Sequence, residues 1–132
     1  MNQCFFWKGV IFMGDLKIKR VYEDYEKEDG TRILIDRLWP RGVKKEDAKI
    51  DKWIKEIAPT PELRKWFHKD IERFYEFKER YRKELANNEE TSSAVTEVLE
   101  NLQEDDVTLI FAAKDEQRNH AKVLQEFLEE KR

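Results

Sequence analysis

Charged side chains interrupt or directly follow the two most apolar segments of the chain. Asp36 and Arg37 interrupt the first segment, Arg32 to Trp39, and Lys114 and Asp115 follow the end of the second. Carboxylates can act as general acids or bases, and arginine and lysine bind phosphate and carboxylate groups. These residue types at these positions predict a site that binds, or reacts with, a small anion.

Asp36 and Arg37 are expected to lie within a strand. Side chains alternate faces along a strand, so the two cannot simply neutralise each other. An unpaired buried charge is costly, so each residue needs a partner elsewhere. Two interpretations remain open: a structural ion pair with a covering helix, or a site residue near the carboxyl end of the strand.

The turn after this strand is a second candidate. Ligands of open α/β sheets lie outside the carboxyl ends of the strands, and Trp39, Arg41 and Gly42 leave the sheet there. Arg41 could bind an anion, Gly42 permits close approach of a ligand to the backbone, and Trp39 could stack on a base or sugar. The alternative is a strand-ending turn with a solvated arginine.

The residues after the second apolar segment, Val107 to Ala113, form a third candidate. We expect Asp115 to cap a final helix, whose first amides and Lys114 favour an anion. Asn119 follows one turn later and can share a helix face with Asp115. His120 could transfer protons near neutral pH, or it could be a hydrogen-bonded histidine of the core.

The pattern of elements predicts a single α/β domain with a small, mostly parallel sheet and helices on its faces. Short strands are expected at 17–22, 32–39 and 107–113, with the last two adjacent at the centre because they are the most apolar. We expect Trp53, Trp66, Phe74 and Tyr81 to be mostly buried. Helices are expected over 45–57, from Thr60, from Asp70 to about 86, over 91–103, and after Asp115.

Composition excludes several classes of protein. The chain has 132 residues, of which 42% are charged and 12% aromatic, which favours one folded domain rather than a disordered chain. One cysteine excludes an internal disulfide and a thiolate zinc cage, and two histidines cannot alone form a closed metal site, so we expect neither metal nor cofactor. A net charge of −3 disfavours general polyanion binding. No segment predicts a membrane span, and we expect a cytoplasmic protein of unspecified oligomeric state.

Residues 1–13 differ in character from the rest of the chain. They contain two apolar clusters but no signal-peptide pattern. We expect them to be an extension outside the core, with Met13 as the ancestral start, and residues 14–132 to form the domain. The alternative is a strand or an interface segment, because exposed aromatic residues there would form an apolar patch.

Two blocks of sequence carry a resemblance to a known family. The first runs from Asp29 to Gly42 and contains Asp-Arg-Leu-Trp-Pro-Arg-Gly, and the second runs from Phe111 to Ala121. Together with Trp53 to Pro59 and Leu63 to His68, they closely resemble the YeaO-like branch of the domain-of-unknown-function 488 (DUF488) family. The resemblance implies a small bacterial or archaeal cytoplasmic α/β protein and brings no established activity.

Three functions follow from these residues. In an enzyme of hydrolytic or transfer chemistry, the catalytic candidates are Asp36, Asp115 and His120. In a non-catalytic ligand-binding or regulatory module, the same pocket would only bind a phosphate, a carboxylate or a nucleotide. A nucleic-acid role is the least expected of the three. In either of the first two cases the candidate ligand-binding residues are Arg37, Trp39, Arg41, Gly42, Lys114 and Asn119.

Overall fold

A four-stranded, all-parallel sheet forms the centre of the fold. A computed structural model describes residues 14–132 and the backbone of two short antiparallel strands, Phe6–Trp7 (β1) and Val10–Ile11 (β2). The predicted extension over residues 1–13 otherwise lies outside the described residues. The sheet has the order β3-β6-β4-β5, and its strands are Leu16–Arg20 (β3), Thr31–Leu34 (β4), Lys52–Trp53 (β5) and Val107–Phe111 (β6).

The two most apolar segments are the central strands, as predicted. β4 and β6 pair directly, with Ile33 opposite Leu109. Central strands of a parallel sheet are covered on both faces, which requires apolar residues at nearly every position. Ile33, Leu34, Leu109 and Ile110 are fully buried.

Five helices surround this sheet. Within the described residues, none of them is both long and apolar enough to cross a membrane. Single 3-10 turns also form at Lys27–Asp29, Lys55–Ile57 and Ile71–Arg73. The helices are Lys45–Ala48 (α1), Pro61–His68 (α2), Phe74–Asn87 (α3), Glu89–Leu102 (α4) and His120–Lys131 (α5).

The two faces of the sheet are covered unequally. Alternation along β4 directs Ile33 and Ile35 into a large core shared with α2 to α5. Leu34 points to the other face, where a smaller cluster contains Ala48 and Ile110 with Trp39 packed against it. One side of the sheet therefore carries helices α2 to α5, and within the described residues the other side is covered by α1 and by loops that include Val21 and Trp39.

The first central strand is shorter than predicted. β4 ends at Leu34, and the ladder adds only the bond from the Ile35 amide to the Ile110 carbonyl. Asp36 then accepts a hydrogen bond from the Ala112 amide through its side chain, at 3.1 Å. The carboxylate replaces the next backbone pairing, so Asp36 and Arg37 follow the strand rather than interrupt it.

The single helix predicted over 45–57 is wrong. α1 ends at Ala48, Lys49 adopts a left-handed conformation with φ of 50°, and Lys52 and Trp53 form β5 beside β4. Pairing along the open edge of β4 satisfies backbone groups that a helix would satisfy internally. As a result Trp53 is 36% exposed rather than mostly buried.

The other predicted aromatic side chains differ in burial. Tyr81 is fully buried in the large core, as predicted, whereas Trp66 and Phe74 are only partly buried against it. Arg73 and Arg80 lie over the Trp66 ring, at 4.9 and 4.3 Å from its centroid. Trp66 is thus at the margin of the helical layer and not inside it.

Candidate functional site

A cavity of about 600 Å³ opens where β4 and β6 end. Because these strands are parallel, both of their carboxyl ends reach the same edge of the sheet, where ligands of α/β proteins bind. Helices α2, α3 and the start of α5 complete the wall. The lining residues are Asp36, Arg37, Leu38, Ala58, Pro59, Arg64, Phe67, His68, Ile71, Phe77, Ala112, Ala113, Lys114, Asp115, Arg118, Asn119 and His120.

Six of the nine residues predicted for a site line this cavity. Asp36 and Arg37 come from the segment after β4, three others come from the segment between β6 and α5, and His120 is the first residue of α5. The six are Asp36, Arg37, Lys114, Asp115, Asn119 and His120.

Trp39, Arg41 and Gly42 lie outside the cavity. The Trp39 indole packs edge-on to Trp53, with ring centroids 5.5 Å apart, and its Nε1 donates to the Val43 carbonyl at 2.7 Å. The Arg41 carbonyl accepts a hydrogen bond from the Tyr22 hydroxyl, and Gly42 lies in an exposed turn with φ of 77°. Since β4 ends early, Trp39 packs against the thinly covered face of the sheet, and Arg41 and Gly42 are exposed.

Two hydrogen bonds hold Asp36 in place beside the cavity, at the carboxyl ends of the strands. Its Oδ2 accepts from the Ala112 amide at 3.1 Å, and its backbone carbonyl accepts from Trp53 Nε1 at 2.7 Å. His120 Nε2 lies 3.1 Å from Asp36 Oδ1 and 3.3 Å from the Ile35 carbonyl oxygen. The ring nitrogen is aligned with the carbonyl, so among the described residues the buried Oδ1 has no hydrogen-bond partner.

The Asp115 carboxylate accepts its hydrogen bonds from the turn that follows it. Its Oδ1 accepts from the amides of Gln117 and Arg118, at 2.9 and 2.8 Å, and Arg118 Nε is 3.2 Å from Oδ2. The backbone hydrogen bond from Arg118, then that from Gln117, and the charge of Arg118 lower the pKa of Asp115 below its ordinary value. This carboxylate stays ionised and satisfied, which leaves it poorly suited to accept a proton.

The final helix does not begin at Asp115, contrary to the prediction. α5 begins at His120, and Asn119 caps it by accepting the Lys122 amide at 2.9 Å. Asn119 is fully buried and also donates to the Asp115 carbonyl at 2.8 Å. Side chains already bind amides in both of these turns, so any anion in the cavity would be held mainly by side-chain cations.

Helix α2 adds cationic residues that sequence reasoning missed. Arg64 and His68 are four residues apart, which places both on the side of α2 that faces the cavity. A polar pair at this spacing beside the apolar Leu63 and Phe67 was the available signal. Partial burial and the charges of Arg64 and His120 lower the pKa of His68, against a smaller opposite effect of Asp36.

The start of α2 is fixed from two sides. Pro61 occupies the first helical position and Thr60 caps the helix by accepting the Leu63 amide, as predicted. The Thr60 amide and hydroxyl both donate to the Glu84 carboxylate of α3, at 3.0 and 2.8 Å. This double anchor holds Arg64, one turn later, against the cavity.

The cations of the cavity outnumber its carboxylates. Four arginine and lysine side chains line it, against Asp36 and Asp115. Arg37 donates to the carbonyls of Pro59 and Ala58, at 3.3 and 3.1 Å, and Arg64 Nε is buried without a hydrogen-bond partner in the described part of the chain. The same part of the chain contains no cluster of three or more metal-ligating side chains.

Comparison with known proteins finds a matching family model and several uncharacterised relatives. A family model described as the inactive DUF488-N3 subclade matches residues 15–132. The uncharacterised protein YeaO of Escherichia coli is 43% identical over 114 residues, which cover 86% of this chain and 96% of that protein. The uncharacterised protein Rv3073c of Mycobacterium tuberculosis is 41% identical over 113 residues, covering 86% of this chain and 92% of that protein. No solved structure gives a significant match.

Proposed function

The chain belongs to the DUF488 family, and we propose that it is a binding protein for small phosphate or carboxylate anions, which it holds without turning them over. The observation that carries this proposal is the convergence of Arg37, Arg64 and Lys114 on one cavity. None of the three forms an ion pair within the described residues, although the whole chain is net acidic.

An anion would resolve the electrostatic imbalance of the cavity. A cation held away from bulk water is costly unless a charge or an acceptor compensates it. Arg118 already has Asp115 and Glu72 within ion-pair distance, whereas Arg64 has no carboxylate within that distance in the described part of the chain. Arginine presents a planar set of donors that matches phosphate and carboxylate oxygens, so Arg64 and Arg37 are the expected main contacts.

The lining chemistry favours binding over catalysis. No serine, threonine, tyrosine or cysteine is among the lining residues, so the described residues place no hydroxyl or thiol nucleophile in the cavity. Asp115 is committed to its turn. The description of the matched family as an inactive subclade agrees with this reading.

A hydrolytic or transfer enzyme is the second candidate. The 3.1 Å approach of His120 Nε2 to Asp36 Oδ1 favours it, because a carboxylate–histidine pair can move a proton. An anion-binding protein leaves a phosphate ester intact, whereas an enzyme of this kind would cleave it. We expect no release of phenol from phenyl phosphate, and release that disappears in Asp36→Asn would favour the enzyme instead.

The test of anion binding is a melting experiment with matched variants. Above Kd, inorganic phosphate should stabilise the wild-type protein in proportion to the logarithm of the phosphate concentration, by about 2.7 kcal/mol at 100 times Kd, and so raise its melting midpoint. Arg64→Ala should lose this rise. Lys65→Ala is the control, since Lys65 is the exposed neighbour on the same helix and does not line the cavity.

Phosphate also stabilises proteins without binding, by exclusion from their surfaces. That general effect would be equal in all three proteins. Equal rises in the wild type, Arg64→Ala and Lys65→Ala would therefore contradict the proposal, and so would the lack of any rise.

A further inference from the structure

The cavity is much larger than a simple anion. Its volume is about 600 Å³, within the range of roughly 300–1,000 Å³ typical of pockets for organic ligands. A water molecule takes up about 30 Å³ of liquid, so a phosphate-sized ion would leave most of this space to solvent. The size points to a ligand with a body attached to its anionic group.

The wall of the cavity is divided in chemical character. The cations described above form part of it, and apolar side chains form the rest. Phe67 and Phe77 are stacked with ring centroids 4.3 Å apart, and both are almost fully buried. Their rings form a rigid floor, to which the partly buried Ile71 adds a flexible edge.

Leu38 extends the apolar wall to the mouth of the cavity. Leu38 is 65% exposed and is the most exposed of the large aliphatic side chains in the described residues. Neither hydrophobic cluster of the fold includes it. A bound apolar group at this end of the cavity would cover Leu38.

Cationic and apolar surfaces adjoin within the cavity. The Arg37 guanidinium is held by the carbonyls of Ala58 and Pro59, whose own apolar atoms line the wall. We infer that the ligand is an aromatic carboxylate or an aromatic phosphate monoester, an inference that rests on the proposed anion site. Its anionic group contacts Arg64 and Arg37, and its ring lies between the phenylalanine floor and Leu38.

The experiment compares anions with and without a ring by calorimetric titration. Phenyl phosphate should bind at least about tenfold more tightly than inorganic phosphate, because ring burial adds a favourable apolar contribution. Benzoate against acetate gives the same comparison for carboxylates. The stronger of the two ring compounds identifies the anionic group that the site prefers.

Three variants separate the two levels of the proposal. Leu38→Ser should weaken phenyl phosphate binding several-fold and leave inorganic phosphate binding unchanged, because the exposed Leu38 contributes little to folding. Arg64→Ala should weaken both. Tyr75→Ser, at an 80% exposed residue outside the cavity, is the control and should change neither.

Each outcome bears on a definite statement. Equal affinity for phosphate and phenyl phosphate, with benzoate no better than acetate, would overturn the aromatic class and leave the anion site standing. Binding of none of the four anions would remove both proposals. Equal weakening of phosphate and phenyl phosphate by Leu38→Ser would also overturn the assignment, since Leu38 would then act on the anionic group.

Discussion

Arg32 is the largest fully buried side chain of the described part, and every contact around it compensates its charge. Its guanidinium donates to Asp29 Oδ2 at 2.5 Å and to the carbonyls of Lys49 and Ala48, at 3.1 and 2.8 Å. Asp29 also pairs with Lys19, at 2.9 Å. These bonds tie β3, β4 and α1 together on the thinly covered face of the sheet, where few apolar contacts are available.

Removing the charge of Asp29 should reduce stability strongly. Asp29→Asn leaves Arg32 buried without its carboxylate, and we expect a loss of about 3 kcal/mol in the free energy of unfolding at pH 7, measured by urea titration. Glu28→Gln is the matched control at an exposed neighbour. A loss equal to that of the control would show that the Arg32 carbonyl bonds suffice.

The same pair predicts how stability depends on acid. Burial alone would raise the pKa of Asp29. Hydrogen bonds from Lys19, the Glu26 amide and Arg32, together with the charge of Lys19, outweigh this effect, so the pKa of Asp29 lies below its ordinary value. Its contribution is complete above the unfolded pKa of about 3.9 and is lost as pH falls through the folded value. The stability difference between wild type and Asp29→Asn should therefore shrink below pH 4. A difference that is unchanged in acid would contradict this.

His68 predicts the pH dependence of anion binding. Partial burial, Arg64 and His120 lower its pKa, so it is mostly neutral at pH 7, and a bound anion would favour its protonated form. Binding of sulfate, which does not titrate itself, should tighten as pH falls below the ordinary histidine value of about 6.5. His68→Gln should flatten the profile. An identical profile in the variant would exclude His68 as the source.

At the scale of elements, the start of α5 depends on one capping side chain. Asn119 accepts the Lys122 amide and donates to the Asp115 carbonyl while fully buried. Asn119→Ala should cost about 1–2 kcal/mol of unfolding free energy, since an N-cap and a buried hydrogen bond are both lost. Asn119→Ser keeps a capping oxygen without burying a charge and should cost less. Equal costs for the two variants would show that the cap is not the source of the loss.

The segment between β4 and α2 shows where helical periodicity misleads. Ile50, Ile54 and Ile57 have helical spacing, yet Ile50 packs in the smaller cluster while Ile54 and Ile57 enter the large core. The apolar residues serve both faces of the sheet because the chain crosses its edge as β5. Only the presence of the open edge of β4 decides between a helix and this path.

At the scale of the whole molecule, Gly14 ties the chain just before β3 to α4 and to Arg132. The Gly14 amide donates to the Leu102 carbonyl, and the Gly14 carbonyl accepts from Arg132, both at 2.7 Å. The family model begins at residue 15. Deletion of residues 1–13 should therefore leave the melting midpoint of the protein unchanged within about 2 °C, as measured by circular dichroism.

Deletion of residues 1–20 is the control for this truncation. It also removes β3, which pairs along its whole length with β6, and it should abolish cooperative unfolding because a central strand would lose one neighbour. A shorter deletion that is as damaging as the longer one would assign residues 1–13 to the folded core.

The sequence by itself determined the central strands, the fold class and much of the candidate cavity. Apolar runs as continuous as those of β4 and β6 occur where a strand is covered on both faces, which makes the two strands neighbours at the centre. Parallel strands end at one edge, so residues that follow them meet there. This reasoning alone brings Asp36 and Lys114 together, although they are far apart in sequence.

Only the tertiary structure decided which other side chains reach that edge. The early end of β4 directs Trp39 to the other face of the sheet, and the packing of α2 brings Arg64 and His68 into the cavity. Neither outcome can be predicted from the local sequence pattern, because strand length, edge pairing and helix placement depend on contacts between distant segments. Burial of Arg32 has the same origin, since its compensating partners come from loops that the fold alone assembles.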